Sequence, residues 1–210
     1  MRYILLFILA AFTFDTVAQS DVTGIINAYT AIATSENQVG SDNKKTQVQM
    51  ARIMSEVTTF IACLEAKDWD KAHKSVKKLY KLDKINRASH YITIGNVLEM
   101  KNEIKKATKI YQRAVARYNN SELAYYNMGR IYYNKGLEIL VNAFELPTEQ
   151  YNAGRDQSKE YFRQALPFFE TGYQINRNTD FLQILRDIYY QLYMNDKFLE
   201  IEQLIEESKQ

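Results

Sequence analysis

The sequence predicts an all-α protein, an α-α superhelix or solenoid of helical hairpins, with one elongated hairpin and an N-terminal capping helix. Three observations predict it. The 210 residues include only 7 Gly and 2 Pro, too few for the turns of an all-β fold. Apolar residues recur at three- and four-residue steps through most of the chain, which is the spacing of a helix face. Two stretches also repeat at a fixed offset, with Gly95 and Gly129 lying 129 − 95 = 34 residues apart. At 46% hydrophobic and 25% charged residues, the composition is that of a folded chain rather than a disordered one. The 16 Tyr belong at helix contacts or on a binding surface.

Arg2 and the nearly unbroken apolar run over residues 3–14 read as a signal peptide. Thr16 and Ala18 supply the small-residue pattern of a cleavage site, so residues 1–18 are expected to be removed. The apolar run is shorter than the roughly 20 residues that span a bilayer. The mature protein is therefore expected to be exported, periplasmic or secreted, without stable membrane insertion.

Residues 19–52 are expected to form a capping helix and a linker. Val22, Ile25, Ile26, Tyr29 and Ile32 have amphipathic helical spacing, and the polar stretch "TSENQVGSDNKK" follows. Further on, Met54, Val57, Ile61 and Leu64 would form an apolar surface on the first repeat. Exposed together they would make an unusual patch, so the helix around residues 25–32 is expected to cover them.

The array is expected over residues 53–210, in units 53–87, 88–121, 122–178 and 179–210. In the first, a helix near residues 46–66 holds Phe60 and the sole cysteine, Cys63, in the apolar run "TTFIACLEA". One cysteine allows no intramolecular disulfide, and a buried thiol is the expectation. Asp68 and Asp70 in "AKDWDKA" mark a turn and a helix start, and "KDWDKAHKSVKKL" supplies the second helix, with Ala72 and Leu79 inward.

The second unit has Tyr91, Ile94, Gly95 and Leu98 on one helix face, then Ala107, Tyr111 and Ala114 on the next. Small residues let two helices approach closely while aromatics fill the space beside them. This resembles the tetratricopeptide repeat. Its 34-residue unit has large-x2-Leu-Gly-x2-Tyr in the first helix and Ala-x3-aromatic-x2-Ala in the second. The spacing from Gly95 to Ala107, 107 − 95 = 12, matches the family's own. Tyr91 stands where the family favours Trp, and Asn119 where it often has Pro. The resemblance covers about three quarters of the chain and implies a scaffold for protein partners. A leader ending in "AQ" ahead of such repeats is similar to small exported tetratricopeptide proteins of Bacteroidetes.

The third unit opens with "SELAYYNMGRIYYNKG", residues 121–136, and its second helix arrives late. Leu137, Leu140, Val141 and Phe144 continue the first helix, and Pro147 suits the first turn of a returning one. Tyr151, Gly154, Ser158, Tyr161 and Phe162 then lead to Ala165, Phe169 and Gly172. Ordinary spacing puts the small residue near Val141, so the insertion is 165 − 141 = 24 residues. Shared between two arms it lengthens each by roughly 18 Å, as one long hairpin. Pro167 should kink the returning arm near Arg163. The last unit has Leu182, Leu185 and Tyr189 inward and ends in a charged tail, Glu206, Glu207 and Lys209, suited to a terminal cap.

No catalytic constellation, cofactor motif or metal-ligand spacing stands out. His73 and His90 are 17 residues apart, and there is no phosphate loop, GxSxG or HExxH. His73, on a lysine-rich helix, reads as a solvated surface histidine. The expected site is non-catalytic, a partner-binding groove in which Asn96 and Glu99 lie near Tyr126, Arg130, Tyr133 and Asn134. Tyr and Arg anchor protein contacts through area combined with a polar handle. A clamp for a peptide carboxylate is not expected. Asn96 and Asn127 fit such a clamp, but Ile92 and Asp180 occupy positions where basic residues are needed.

Charge is uneven along the chain. Residues 64–117 carry 14 Lys and Arg against 6 acids, and residues 118–210 carry 9 against 14. Lys71, Lys74, Lys78 and Lys81 line one helix face, and Lys105, Lys106, Lys109 and Arg113 another. The expected partner is a protein or peptide of the cell envelope, not nucleic acid. The alternative is a glycan or small ligand held in a Tyr-rich groove.

Overall fold

The computed structural model describes residues 44–84 and 87–208, and among these every regular element is helical. The signal peptide and capping helix expected before Lys44 lie outside the described residues. The chain divides into two compact units with the boundary after Ile110.

In the first unit, α1 (Lys44–Glu65) packs on α2 (Trp69–Leu82), which packs on α3 (Arg87–Met100). Helix α4 (Ile104–Arg117) crosses the unit boundary. Helix α1 covers the helix expected near residues 46–66, and residues 44–52 contain no Gly or Pro to break it. Its core stripe is Ile53, Val57, Phe60 and Leu64, at steps of three and four, facing Ala72, Val76 and Leu79. Val57 and Leu64 are each only 1% exposed, so two of the four residues of the anticipated apolar patch are core. Met54 and Ile61 are half-buried beside them. Cys63 is a buried free thiol. The buried Ser75 hydroxyl bonds Glu56 Oε1 at 2.6 Å, so no polar cost is left at this contact. Asp68 caps α2 by accepting the Lys71 N–H at 3.1 Å.

The first helix of each short hairpin ends in the same turn. Lys67, Asn102 and Tyr193 all have positive φ, 53°, 58° and 57°. In each case that residue's N–H bonds the carbonyl three residues back, and the next N–H bonds the carbonyl five residues back. The pairs are Lys67 to Leu64 with Asp68 to Cys63, Asn102 to Glu99 with Glu103 to Leu98, and Tyr193 to Tyr190 with Met194 to Tyr189. This left-handed cap satisfies carbonyls that a helix end would otherwise leave open. Its recurrence makes the fold repeat-like at the level of backbone conformation.

The second unit holds α5 (Glu122–Ala143), α6 (Thr148–Ile175), α7 (Thr179–Gln191) and α8 (Asn195–Glu207), each packed on the next. Helices α5 and α6, of 22 and 28 residues, form the long hairpin expected from the insertion. Pro147 sits one position before the returning helix, at its N-cap. Helix α6 continues as one element through Pro167, although this residue has no N–H for the Arg163 carbonyl.

The seam between the arms is set by small residues seven apart on α5. A Cβ on Gly129 would lie 2.9 Å from the Phe169 ring, one on Gly136 would lie 2.9 Å from the Phe162 ring, and Ala143 meets Gly154. The facing positions descend as α5 ascends, which fixes an antiparallel pair with a near-heptad contact line. Phe162, Phe169 and Ala165 are fully buried there. Near the end of α6, the space beside Gly172 is in turn filled by the ring of Phe181, which brings α7 close.

Candidate functional site

The anticipated groove residues fall in both units, Asn96 and Glu99 in the first and the other four in the second. Asn96 and Glu99 are half-buried on α3, whose interior face, Ile94, Val97 and Leu98, puts them to one side of the core.

In the second unit, Tyr126, Arg130, Tyr133 and Asn134 recur at steps of three and four along α5, and all are half-buried. The Tyr126 ring meets the edges of Phe169 and Phe181 at 5.9 and 5.8 Å between centroids, nearly perpendicular to both. Tyr133 packs on Phe162 and Phe169 at 5.7 and 6.2 Å. These edge-to-face and tilted contacts place both rings in the joint of α5, α6 and α7. Arg130 donates to the Asn127 side chain at 3.0 Å, and Asn127 donates back to the Leu123 carbonyl at 2.8 Å. The guanidinium is thereby held along its own helix.

Asp187 on α7 joins this face, a partner that the sequence reading did not name. The Tyr133 hydroxyl donates to Asp187 Oδ2 at 3.4 Å, and Arg186 donates to Oδ1 at 3.2 Å. Arg186 also faces Glu202 on α8 at 3.6 Å. Burial, followed by the Asp187 charge, pushes the Tyr133 hydroxyl far above the usual phenol range, so it remains a hydrogen-bond donor. Burial also raises Asp187, against the opposing pull of Arg186 and the Tyr133 hydrogen bond. The result is a fixed polar strip of donors and acceptors over an aromatic floor.

The end of the long hairpin carries a different chemistry. Val141, Phe144 and Leu146 are 43%, 57% and 45% exposed, and Pro147 follows directly. Three large apolar side chains within six residues at a helix turn form an exposed patch.

One of the two histidines differs from its sequence reading, and the other had been given no environment. His73 is half-buried rather than solvated, and burial, then the charge of Lys77, lowers its pKa. His90 is fully buried and pairs with buried Asp83 at 2.8 Å, joining the end of α2 to α3. On the basic helices, Lys71 pairs with Asp68, Lys78 with Glu56, and Lys106 with Glu103, at 2.8, 3.4 and 2.7 Å. Among the described residues, no group of three or more His, Cys, Asp or Glu could hold a metal ion. Compared with known families and curated proteins, the chain matches no family model and no curated protein.

Proposed function

We propose that the chain is a non-catalytic tetratricopeptide-type scaffold, exported to the bacterial envelope, that binds a protein partner through its long hairpin. The observation that carries this reading is the exposed apolar end of that hairpin, Val141, Phe144 and Leu146. Two helices of 22 and 28 residues, where the neighbouring α7 and α8 have 13 each, extend the arms that end in this patch. An apolar turn presented to water is unfavourable unless a partner covers it, at about 25 cal/mol per Å² of apolar surface. Arg130 and Asn134 on the same helix supply polar groups that orient a bound segment, and Tyr126 and Tyr133 stiffen the wall behind them. The repeated left-handed turns and the 34-residue period support the tetratricopeptide assignment, and the leader-like residues 1–18 support export.

The test is photo-crosslinking from position 146 in the native envelope, with position 109 on the basic helix as the control. The reading expects one defined protein adduct from position 146, lost in Phe144→Asp together with Val141→Asp, while the helical circular dichroism persists. Equal adducts from both positions, or none from position 146, would overturn it. A glycan ligand would instead quench tyrosine fluorescence on titration, whichever protein partner is present.

A further inference from the structure

The shared turns set a common register for the first helix of each short hairpin. From Lys67 to Asn102 the offset is 102 − 67 = 35, and from Asn102 to Tyr193 it is 193 − 102 = 91. On this register Ser55, Thr58, Thr59 and Ala62 of α1 correspond to His90, Thr93, Ile94 and Val97 of α3. The same positions of α7 are Phe181, Ile184, Leu185 and Ile188.

In α3 those four residues are between 0% and 6% exposed, and in α7 three are at most 3% exposed and Ile184 is half-buried. The cause is the preceding helix, since α2 packs on α3 and α6 packs on α7. In α1 all four are exposed. Two open, mostly apolar grooves run along this flank. One is lined by Val48, Ala51, Arg52, Ser55, Glu56 and Leu82, and the other includes Thr58, Thr59, Ala62, Cys63 and Ala66.

We infer that this face of α1 is the seat of residues 22–32 of the same chain, packed in the place that α2 takes on α3. The chain enters α1 at Lys44, at the groove end nearest Val48. Residues 33–43 are eleven in number and span up to about 37 Å when extended. Ser55 and Ala62 lie roughly 16 and 27 Å along the helix from Lys44, within that reach. Side-chain size is complementary. Ser, Thr and Ala on α1 stand where α3 has His, Ile and Val, so the covering face must supply bulk. Ile25, Ile26, Tyr29 and Ile32 supply it at helical spacing. The seat differs from the surface first expected, Met54, Val57, Ile61 and Leu64, because Val57 and Leu64 are already core.

Hydrogen exchange of the intact chain tests this, together with maleimide labelling of Cys63, which lines the second groove. Amides of residues 22–32 should exchange about tenfold or more slowly than in Ala62→Arg or Ser55→Arg, since burial and hydrogen bonding protect them. Both substitutions fall on exposed positions, so protection in α2 should stay unchanged. In Ile26→Asp with Tyr29→Asp, outside the described fold, Cys63 should label about tenfold faster. Exchange of residues 22–32 at the rate of an unstructured peptide would overturn the inference, as would protection that persists in both arginine variants. Protection that grows with protein concentration would also overturn it, by placing a second copy on the face.

Discussion

Asp83 and His90 show how much one residue pair can hold in place. Both side chains are buried, at 2% and 0% exposure, and their 2.8 Å contact ties the C-cap of α2 to α3. Truncating one partner removes a hydrogen bond from a buried polar or charged group, which costs about 1–3 kcal/mol. His90→Ala should therefore lower the urea midpoint strongly, whereas Asp70→Ala at an exposed position should not. Burial depresses the His90 pKa below 6.5, with Asp83 opposing, so the folded chain holds the imidazole neutral while the unfolded chain protonates it. Its stabilising contribution is complete above pH 6.5 and is lost as pH falls below that value. Urea midpoints at pH 7.5 and 5.5 should differ by less in His90→Gln than in the native chain. Glu103 acts lower on the scale. Lys106 and Lys101 hold its carboxyl at about 2, so its contribution is complete above 4.5 and fades as pH approaches about 2. Glu103→Gln should flatten that acid limb. Neither histidine environment was legible in the sequence. His90 looked like one of two isolated histidines, because its partner is seven residues away and meets it only when α3 turns back on α2.

At the scale of elements, the left-handed turns and the small-residue seam each make a prediction. Lys67 and Tyr193 occupy a conformation that costs a residue with a Cβ about 1 kcal/mol relative to glycine. Lys67→Gly should raise stability by about that amount, measured by thermal melting, since the side chain is exposed. Gly154→Ala should do the reverse. Helix propensity alone favours Ala by about 1 kcal/mol. The new Cβ would lie 2.5 Å from the Ala143 Cβ, however, and two helix backbones must separate to relieve it. A net loss of about 1–3 kcal/mol is expected. Ala143→Gly in the same chain should restore most of it, a coupling that a double-mutant cycle reads directly. The long hairpin itself was legible, because its insertion kept apolar residues at helical steps and placed Pro147 at the return. The seam was legible only in part. Gly129, Phe169 and Gly172 stood out, while Gly136 passed as the end of a motif until Phe162 was seen to fill its space.

At the scale of the whole molecule, salt dependence separates the proposed apolar contact from a charged one. Residues 64–117 hold the excess of positive charge, and the hairpin end in the second unit is apolar. Binding through that end should change in affinity by less than about threefold between low salt and 0.5 M salt, because screening acts on charges and not on apolar burial. A steep fall in an equilibrium titration would move the contact to Lys105, Lys109 and their neighbours. Taken alone, the sequence determined the helical class, the 34-residue period, the inward residues such as Ala107, Tyr111, Phe169 and Leu185, and the elongation of one hairpin. These follow from burial of one helix face at a time, which leaves its mark at steps of three and four residues. Only the tertiary structure decided that Val57 and Leu64 are core while Ser55, Thr58 and Ala62 are exposed. It also decided that Tyr133 leans on Phe162 with its hydroxyl toward Asp187. The physical reason is that both faces of α1 carry residues a helix can bury, and the rings of α5 can turn either way. Which face is covered depends on helices distant in sequence, and no periodicity within one helix records them.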